Sequence, residues 1–191
     1  LGRASSVKKG LLYQLEISER KHEKEEKLNS YFSNSVPYIY GKENYVYPIK
    51  LGVQQQTLLG NKSNKNGVAI TANYGGGVIA SLLRPYYVQV QKGNGIDYIK
   101  YDSPDSSQFL GSQIFGGPGL GKGWNELKVV PGVYAKAAVR FDYGAYNEII
   151  SALEVGVTGE YYTKEIPQMA YNTQKQFFFG GYVAIIFGKR K

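Results

Sequence analysis

Residues Val133–Tyr143 read VYAKAAVRFDY, and apolar and polar side chains alternate along this stretch. The first set of alternate positions is almost wholly apolar and consists of Val133, Ala135, Ala137, Val139, Phe141 and Tyr143. The other set carries Lys136, Arg140 and Asp142. Successive side chains of a strand point to opposite faces, so the stretch predicts one apolar and one charged face.

Similar alternation recurs along the chain, at Gly10–Arg20, Tyr45–Gln56, Val68–Leu82, Tyr86–Gln91, Leu153–Tyr161 and Gln176–Phe187. Leu1–Arg3 fits the tail of an earlier strand, which brings the predicted count to about eight. The 24 Gly and 18 Tyr among 191 residues favour β structure with many turns. A first residue other than Met fits either a removed signal peptide or a trimmed segment.

Two architectures place an apolar strand face differently. A soluble sandwich packs it against a second sheet, whereas a membrane barrel turns it to lipid and keeps charge in the lumen. Val68–Leu82 is longer than the usual five or six residues of a globular strand, which suits a tilted barrel strand. We therefore predict an all-β fold: one closed antiparallel up-and-down transmembrane β-barrel over residues 1–191, with about eight strands and a truncated first strand.

The predicted strands assign sides to the connections if both termini lie in the periplasm. Short periplasmic turns are expected at Arg84-Pro85 and Gly144–Asn147, and extracellular loops at Ala4–Lys9, Asn61–Asn66, Lys92–Val130 and Thr163–Lys175. Short turns inside and long loops outside are typical of bacterial barrels. The connection Lys21–Glu43 departs from this rule, because it would be a long periplasmic segment.

Two long connections are candidate partner-binding elements. The first begins with Lys21, His22, Glu23 and Lys24, which fit either a solvated connection or a docking element for a periplasmic protein. The extracellular loop 92–130 carries the apolar residues Phe109, Phe115 and Trp124, together with Leu110 and Ile114. These side chains suit packing on the same barrel or against a neighbouring one.

Pairing of the two strands around the turn at Gly144–Asn147 predicts a charge network in the lumen. Lys136 and Arg140 would face the same interior as Glu154 and Glu160. Opposite charges on facing positions neutralise one another, which a sealed interior requires because unpaired buried charge is costly. About eight strands leave room for side chains only, so an open channel is not expected.

The sequence offers little for catalysis, metal binding or cofactor binding. It has no cysteine, which excludes a thiol nucleophile and Cys-ligated zinc, and its single histidine, His22, lies among charged neighbours. Gly116–Gly123 resembles a phosphate-binding loop but has Gly123 where Ser or Thr is required. The net charge of +8 comes without a basic stripe interleaved with aromatics. We predict no cofactor, no metal, no nucleotide and no nucleic acid.

Several segments together resemble the small outer-membrane β-barrel proteins of Bacteroidota bacteria. They are Glu16–Glu25, Gly132–Val157, Ile166–Asn172 and the terminal Phe187-Gly188-Lys189-Arg190. The likeness covers most of the chain from Gly10 onward, but Glu23 stands where the family usually has proline. It implies the bacterial outer membrane as location and a multi-pass barrel as fold. Proteins of this kind include accessory subunits of type IX secretion and barrel-assembly complexes.

These observations favour a non-enzymatic accessory or scaffold subunit of a larger envelope complex, serving protein secretion or barrel assembly. The expected partners are outer-membrane lipid, lipopolysaccharide and other outer-membrane or periplasmic proteins. One alternative is a barrel enzyme that acts on lipid A or envelope peptides, for which His22, Asp97 and Asp102 are the candidates. Another is a soluble lipid-binding barrel, which needs apolar side chains in its lumen.

Overall fold

A computed structural model describes residues 2–6, 9–29, 36–61, 67–92, 95–101, 106–111, 114–119, 121–143 and 149–189. The strands are β1 (Gly2–Ser6), β2 (Lys9–Ile17), β3 (Lys27–Leu28), β4 (Tyr38–Ile39), β5 (Asn44–Gly60), β6 (Ala69–Pro85), β7 (Tyr87–Lys92), β8 (Gly95–Lys100), β9 (Ile114–Gly116), β10 (Lys128–Asp142), β11 (Ile149–Ile166) and β12 (Lys175–Lys189). Helical structure consists of α1 (Ser106–Phe109) and a 3-10 turn at Trp124–Glu126. No helix in the described part of the chain has the length and apolarity needed to cross a membrane.

Seven strands form one large antiparallel sheet in the order β1-β2-β5-β6-β10-β11-β12. Every neighbouring pair in this sheet is antiparallel, so the predicted all-β antiparallel class is confirmed. The stretch that opens the sequence analysis lies within β10, which pairs with β6 on one side and β11 on the other. No backbone pairing joins β1 to β12 within the described residues, so the sheet is not closed by hydrogen bonds.

The register places apolar side chains in continuous rows on one face of the large sheet. One row crosses six strands and consists of Leu15, Leu51, Val78, Val133, Tyr161 and Phe177. All six are exposed, and Val133 keeps 56% of its surface accessible. The opposite face is buried and carries both polar and apolar residues. Glu154 and Glu160 are each only 3% exposed, and Lys50 is 5% exposed. Its apolar cluster consists of Val46, Ile79, Leu83, Val130, Tyr134, Tyr162 and Ile166. The large sheet is therefore apolar on its exposed face, and the charged residues in the middle of its strands lie on the buried face.

The backbones of β5 and β6 approach each other closely. A side chain at Gly75 would collide with the Val53 carbonyl oxygen of β5, and one at Gly77 would collide with the Leu51 carbonyl oxygen. Only glycine therefore allows the two backbones to approach so closely. The sheet curls far enough that inner-face side chains of β2 and β12, five positions apart in the strand order, line one cavity.

The remaining elements form a cap over one end of the large sheet. We define the cap as the described residues of 21–43, 86–127 and 167–174. It contains the two-stranded sheet β3-β4 and the three-stranded sheet β8-β7-β9. Its apolar core consists of Ile39, Tyr86, Val88, Val90, Ile99, Phe109, Ile114 and Met169. Residues from all three connections thus pack together, which holds the connections at one end of the sheet.

The cap corrects two sequence-based expectations. Tyr86–Gln91 was expected to be a strand of the barrel, but β7 pairs with β8 and β9 in the cap. Consecutive antiparallel strands finish at opposite ends of a sheet. Counting Tyr86–Gln91 as an additional strand therefore moves every earlier connection to the opposite end. Lys21–Glu43 was therefore expected opposite the loop 92–130, whereas Ile39 packs in the same core as Val88 and Phe109. The opposite-side placement is wrong, and the long connections share one end.

Candidate functional site

The buried face of the large sheet holds a first ion-pair cluster around Glu160 of β11. The Arg20 guanidinium forms an ion pair with this carboxylate, and Lys50 Nζ lies 3.0 Å from its other oxygen. Tyr162 donates its hydroxyl to the same carboxylate at 2.8 Å and accepts a hydrogen bond from Ser81 at 2.9 Å. Two cations and one hydroxyl thus neutralise and solvate a carboxylate removed from water, as a buried charge requires.

Glu16 extends this cluster to β2 and β10. Lys50 Nζ donates to Glu16 Oε1 at 2.7 Å, and Lys136 Nζ lies 3.5 Å from Glu16 Oε2. Gln14 donates its side-chain amide to Glu16 at 2.9 Å, and Gln54 in turn donates to Gln14. The cluster is therefore a continuous polar network that connects five strands, β2, β5, β6, β10 and β11, across the interior.

A second cluster surrounds Glu154, nearer the uncapped end of β11. Arg140 donates to Glu154 Oε2 through Nε at 2.9 Å and through Nη2 at 2.8 Å. Asn73 donates to the same oxygen at 2.8 Å, and Tyr182 donates to Oε1 at 2.7 Å. Lys136 lies between the two clusters, with Nζ 4.1 Å from the centre of the Tyr182 ring.

The structure brings the four residues of the expected lumen network onto the buried face. Arg140 pairs with Glu154 directly, as the hairpin register requires. Lys136 and Glu160 have other partners, namely Glu16 for the lysine and Arg20 with Lys50 for the glutamate. Arg20, Lys50 and Glu16 are network members that sequence reasoning missed. A signal existed for Lys50 and Glu16, because each alternates with exposed apolar residues in its strand.

A cavity of about 480 Å³ lies where the end of β2 meets the start of β12, and we call it the seam cavity. Its lining residues from the segment after β2 are Arg20, Lys21, His22, Glu23 and Lys24. The facing side consists of Thr158 and Glu160 of β11, residues 172–174 of the cap, and Lys175 and Phe177–Gly180 of β12; Ile166, Gln168 and Met169 complete it. The cavity therefore combines basic side chains with aromatic ones.

Four of the expected partner-binding residues lie on the rim of the seam cavity. Lys21, Glu23 and Lys24 are exposed, and Lys24 Nζ donates to Asn172 Oδ1 at 2.9 Å. His22 is half-buried, and its Nδ1 accepts a hydrogen bond from the Lys24 amide at 3.2 Å. The histidine thus helps to hold the local chain conformation of this rim.

The three aromatic candidates of the cap have different surroundings. Phe109 is fully buried in the cap core and is not accessible to a partner protein. Phe115 is partly buried in β9. Trp124 is 47% exposed, stacks on Tyr47 with 5.9 Å between ring centres, and covers the guanidinium of Arg84 at 4.7 Å. Of the three, Trp124 has the greatest exposed surface at the junction of cap and sheet.

The cap also contains a buried ion pair between Lys42 and Glu25. Lys42 Nζ donates to Glu25 Oε2 at 2.6 Å and lies 4.2 Å from the centre of the Tyr45 ring. Both charged side chains are almost wholly removed from water. Burial lowers the pKa of Lys42 below its ordinary value, because desolvation of the ammonium outweighs the attraction of Glu25.

No group of three acidic or histidine side chains in the described ranges lies close enough to hold a metal ion. No family model, curated protein or solved structure matches the chain.

Proposed function

We propose that the chain is a bacterial outer-membrane β-barrel that serves as an accessory or scaffold subunit of a larger envelope complex. One observation carries the membrane part of this proposal. Exposed apolar residues cover the outer face of the long strands, whereas the charged residues in the middle of these strands, among them Lys50, Glu154 and Glu160, lie on the buried inner face. The exposed charged residues of the same strands, such as Lys128 and Glu165, lie towards the strand ends. A transmembrane barrel with a polar lumen requires this distribution of side chains.

The extent of the exposed apolar surface supports lipid as its natural environment. On β12 alone, Phe177, Phe179, Val183, Ile185 and Phe187 are each more than half exposed. Comparable residues follow on β2, β5, β6, β10 and β11 in register. Soluble monomers rarely expose contiguous apolar patches of more than a few hundred Å². A soluble lipid-binding barrel would need the reverse arrangement, with charge outside and apolar residues within.

Closure of the sheet into a barrel is part of the proposal and rests on contacts across the interior. Arg20, beyond the end of β2, pairs with Glu160 of β11 and lies 4.2 Å from the Phe178 ring of β12. These contacts bring the end of β2, the neighbour of the edge strand β1, close to the opposite edge strand β12. The large sheet has seven paired strands. Bacterial barrels have an even number of strands, with eight as the smallest, and the sequence predicts about eight.

The lengths of the connections support an orientation in the membrane. The cap joins β2 to β5, β6 to β10 and β11 to β12, whereas only 8 residues separate β5 from β6 and only 6 separate β10 from β11. Bacterial barrels have short periplasmic turns and longer extracellular loops. We therefore place the cap outside the cell and the end of β12 at Lys189 on the periplasmic side.

The non-enzymatic role rests on how the buried polar groups are used. The carboxylates of Glu154 and Glu160 each accept bonds from several cationic or hydroxyl donors, which favours a structural role. The basic rim at Lys21–Lys24 and the exposed ring of Trp124 supply contact surface for neighbouring proteins. Aromatic residues are enriched at protein interfaces, and the rim of an interface is polar.

Fractionation followed by mild-detergent extraction tests both parts of the proposal. We expect the chain to sediment with outer-membrane vesicles and to migrate in native gels with a mass well above its own 21.2 kDa plus detergent. Recovery in the soluble fraction would contradict the membrane barrel. A chain that enters the outer membrane but always migrates alone would contradict the accessory role only.

A further inference from the structure

The seam cavity lies where the exposed apolar face of the large sheet meets the cap. Phe177 and Phe179 of β12 line it and are 57% and 69% exposed, so they belong both to the cavity and to the outer face. Phe178 points to the interior between them and packs against Tyr162. The cavity is open rather than enclosed, and its mouth therefore adjoins the surface that we propose to contact lipid.

The seam cavity carries an excess of positive charge. Its basic lining residues are Arg20, Lys21, Lys24 and Lys175, and its acidic ones are Glu23 and Glu160. Glu160 is already neutralised by Arg20 and Lys50. Neither Lys21 nor Lys175 has an ion-pair partner among the residues that the structure describes, and both are exposed. Two ammonium groups thus remain to bind an anion.

We propose that the seam cavity binds the phosphorylated headgroup of a bilayer lipid, whose acyl chains run along the outer face past Phe177 and Phe179. Lys21 and Lys175 contact the phosphate, since a charge-assisted bond to a phosphate oxygen is stronger than a neutral one. Aromatic residues are favoured at the level of lipid headgroups, which fits the ring pair at the mouth. This inference rests on the proposed membrane location.

The combination of charge and shape favours a lipid over a free anion. A soluble phosphate needs no apolar wall, yet Phe177–Phe179, Ile166 and Met169 form much of the lining. A neutral lipid needs no free lysines. A phosphorylated lipid matches both the basic and the apolar lining residues of the cavity. Its acyl chains have direct access from the bilayer at the β2–β12 seam.

Two sets of variants separate the headgroup contact from general effects. Lys21→Gln with Lys175→Gln removes two charges from the cavity, and Lys128→Gln with Lys164→Gln removes two exposed charges outside its lining. Gly180→Phe fills the cavity, because an added Cβ at Gly180 meets no atom within 4 Å. Gly181→Phe is its control, since the adjacent residue points to the opposite face.

Native mass spectrometry of the full chain, purified from outer membranes in detergent, measures the binding. The probes are dioleoylphosphatidylglycerol, dioleoylglycerol with the same chains but no phosphate, and glycerol 3-phosphate with no chains. We expect phosphatidylglycerol to bind the unaltered chain most tightly. The cavity double variant should lose about thirtyfold in affinity, because each lysine beside anionic lipid contributes roughly fivefold. Gly180→Phe should abolish binding, while both controls keep it.

Each other outcome has a definite meaning. Equal phosphatidylglycerol binding by the cavity variants and their controls would overturn the headgroup site. Equal binding of dioleoylglycerol would show an apolar site without headgroup recognition, and preferred binding of glycerol 3-phosphate would show a soluble-anion site; either overturns the inference. Vesicle sedimentation of the same chain keeps the two proposals apart. A chain that sediments but shows no selective lipid binding refutes the cavity proposal alone, whereas failure to sediment refutes the membrane barrel.

Discussion

Glu16 Oε2 lies 3.5 Å from Lys136 Nζ, although β5 and β6 separate their strands in the sheet order. A flat sheet would hold β2 and β10 about 14 Å apart, at roughly 4.8 Å per strand spacing. The contact therefore exists only because the sheet curls around its polar face. The same curl encloses Glu160 and Glu154 and turns the apolar face outward.

Glu160→Gln removes the charge at the centre of the first cluster and preserves the shape of the side chain. Lys50 keeps Glu16 as a partner, but Arg20 loses its carboxylate in a largely buried position. We expect a loss of about 3 kcal/mol in the free energy of unfolding, which urea titration in detergent micelles measures. Glu165→Gln, an exposed site on the same strand, should change stability by about 0.5 kcal/mol or less. Equal effects at the two sites would contradict the cluster.

Val157→Arg tests what surrounds the outer face of β11. In lipid, an arginine at mid-strand costs about 2–4 kcal/mol, whereas the same change at an exposed site in water costs about 0.5 kcal/mol or less. Unfolding from lipid vesicles measures this cost. Glu165→Arg, at the capped end of the same strand, should have little effect. A tolerated arginine at Val157 would indicate that this face contacts water.

Gly77→Ala tests the curl between β5 and β6. The added methyl group would collide with the Leu51 carbonyl oxygen of the neighbouring strand, so the backbones must separate. Overpacking of this kind costs about 1–3 kcal/mol, and unfolding titration measures it. Gly180→Ala is the matched control because open space surrounds that position. A Gly77→Ala variant with the same free energy of unfolding as the unaltered chain would refute the close approach of the two backbones.

Buried Lys42 predicts a pH dependence of cap stability. Because its pKa is lowered in the folded state, the unfolded chain binds more protons between that lowered pKa and the ordinary value of 10.5. Stability therefore rises with pH through this window, up to about pH 10.5. The comparison variant carries Lys42→Met and Glu25→Leu together, so that no unpaired carboxylate remains.

Fluorescence of Trp124, the single tryptophan, reports on the cap because its ring stacks on Tyr47. We expect the stability difference between the unaltered chain and the double variant to grow in favour of the unaltered chain as pH rises towards 10.5. A difference that is constant or falls with pH would show that the burial of Lys42 does not perturb its titration.

Alternation of side chains predicted the long strands and their faces, because each strand's pattern depends on local order alone. It could not predict which sheet a strand joins. Val88 and Val90 alternate with Gln89 as a barrel strand would, yet they pack in the cap core. β7 belongs to the cap because it pairs with β8 and β9, and the alternation within β7 does not encode these partners.

Ion pairs within one hairpin could likewise be predicted from the sequence, whereas ion pairs between distant strands could not. Arg140 and Glu154 were predicted to meet because one hairpin fixes their register. Arg20 and Glu160 are 140 residues apart, and their contact depends on the curl of the whole sheet. The seam cavity has the same origin, since its two walls come from the segment after β2 and from β11, β12 and the cap.

We propose that apolar side chains of the large sheet contact lipid while their neighbours along each strand face an enclosed interior. The chain has no cysteine, so Val183→Cys, Ala184→Cys and Ile185→Cys each give one unique site for a spin label. Collision rates with oxygen and with a water-soluble nickel chelate, measured in lipid vesicles, report the surroundings of each label. We predict high oxygen and low nickel accessibility at Val183 and Ile185, and low oxygen accessibility at Ala184. High nickel accessibility at Val183 and Ile185, or the reverse alternation, would contradict the account.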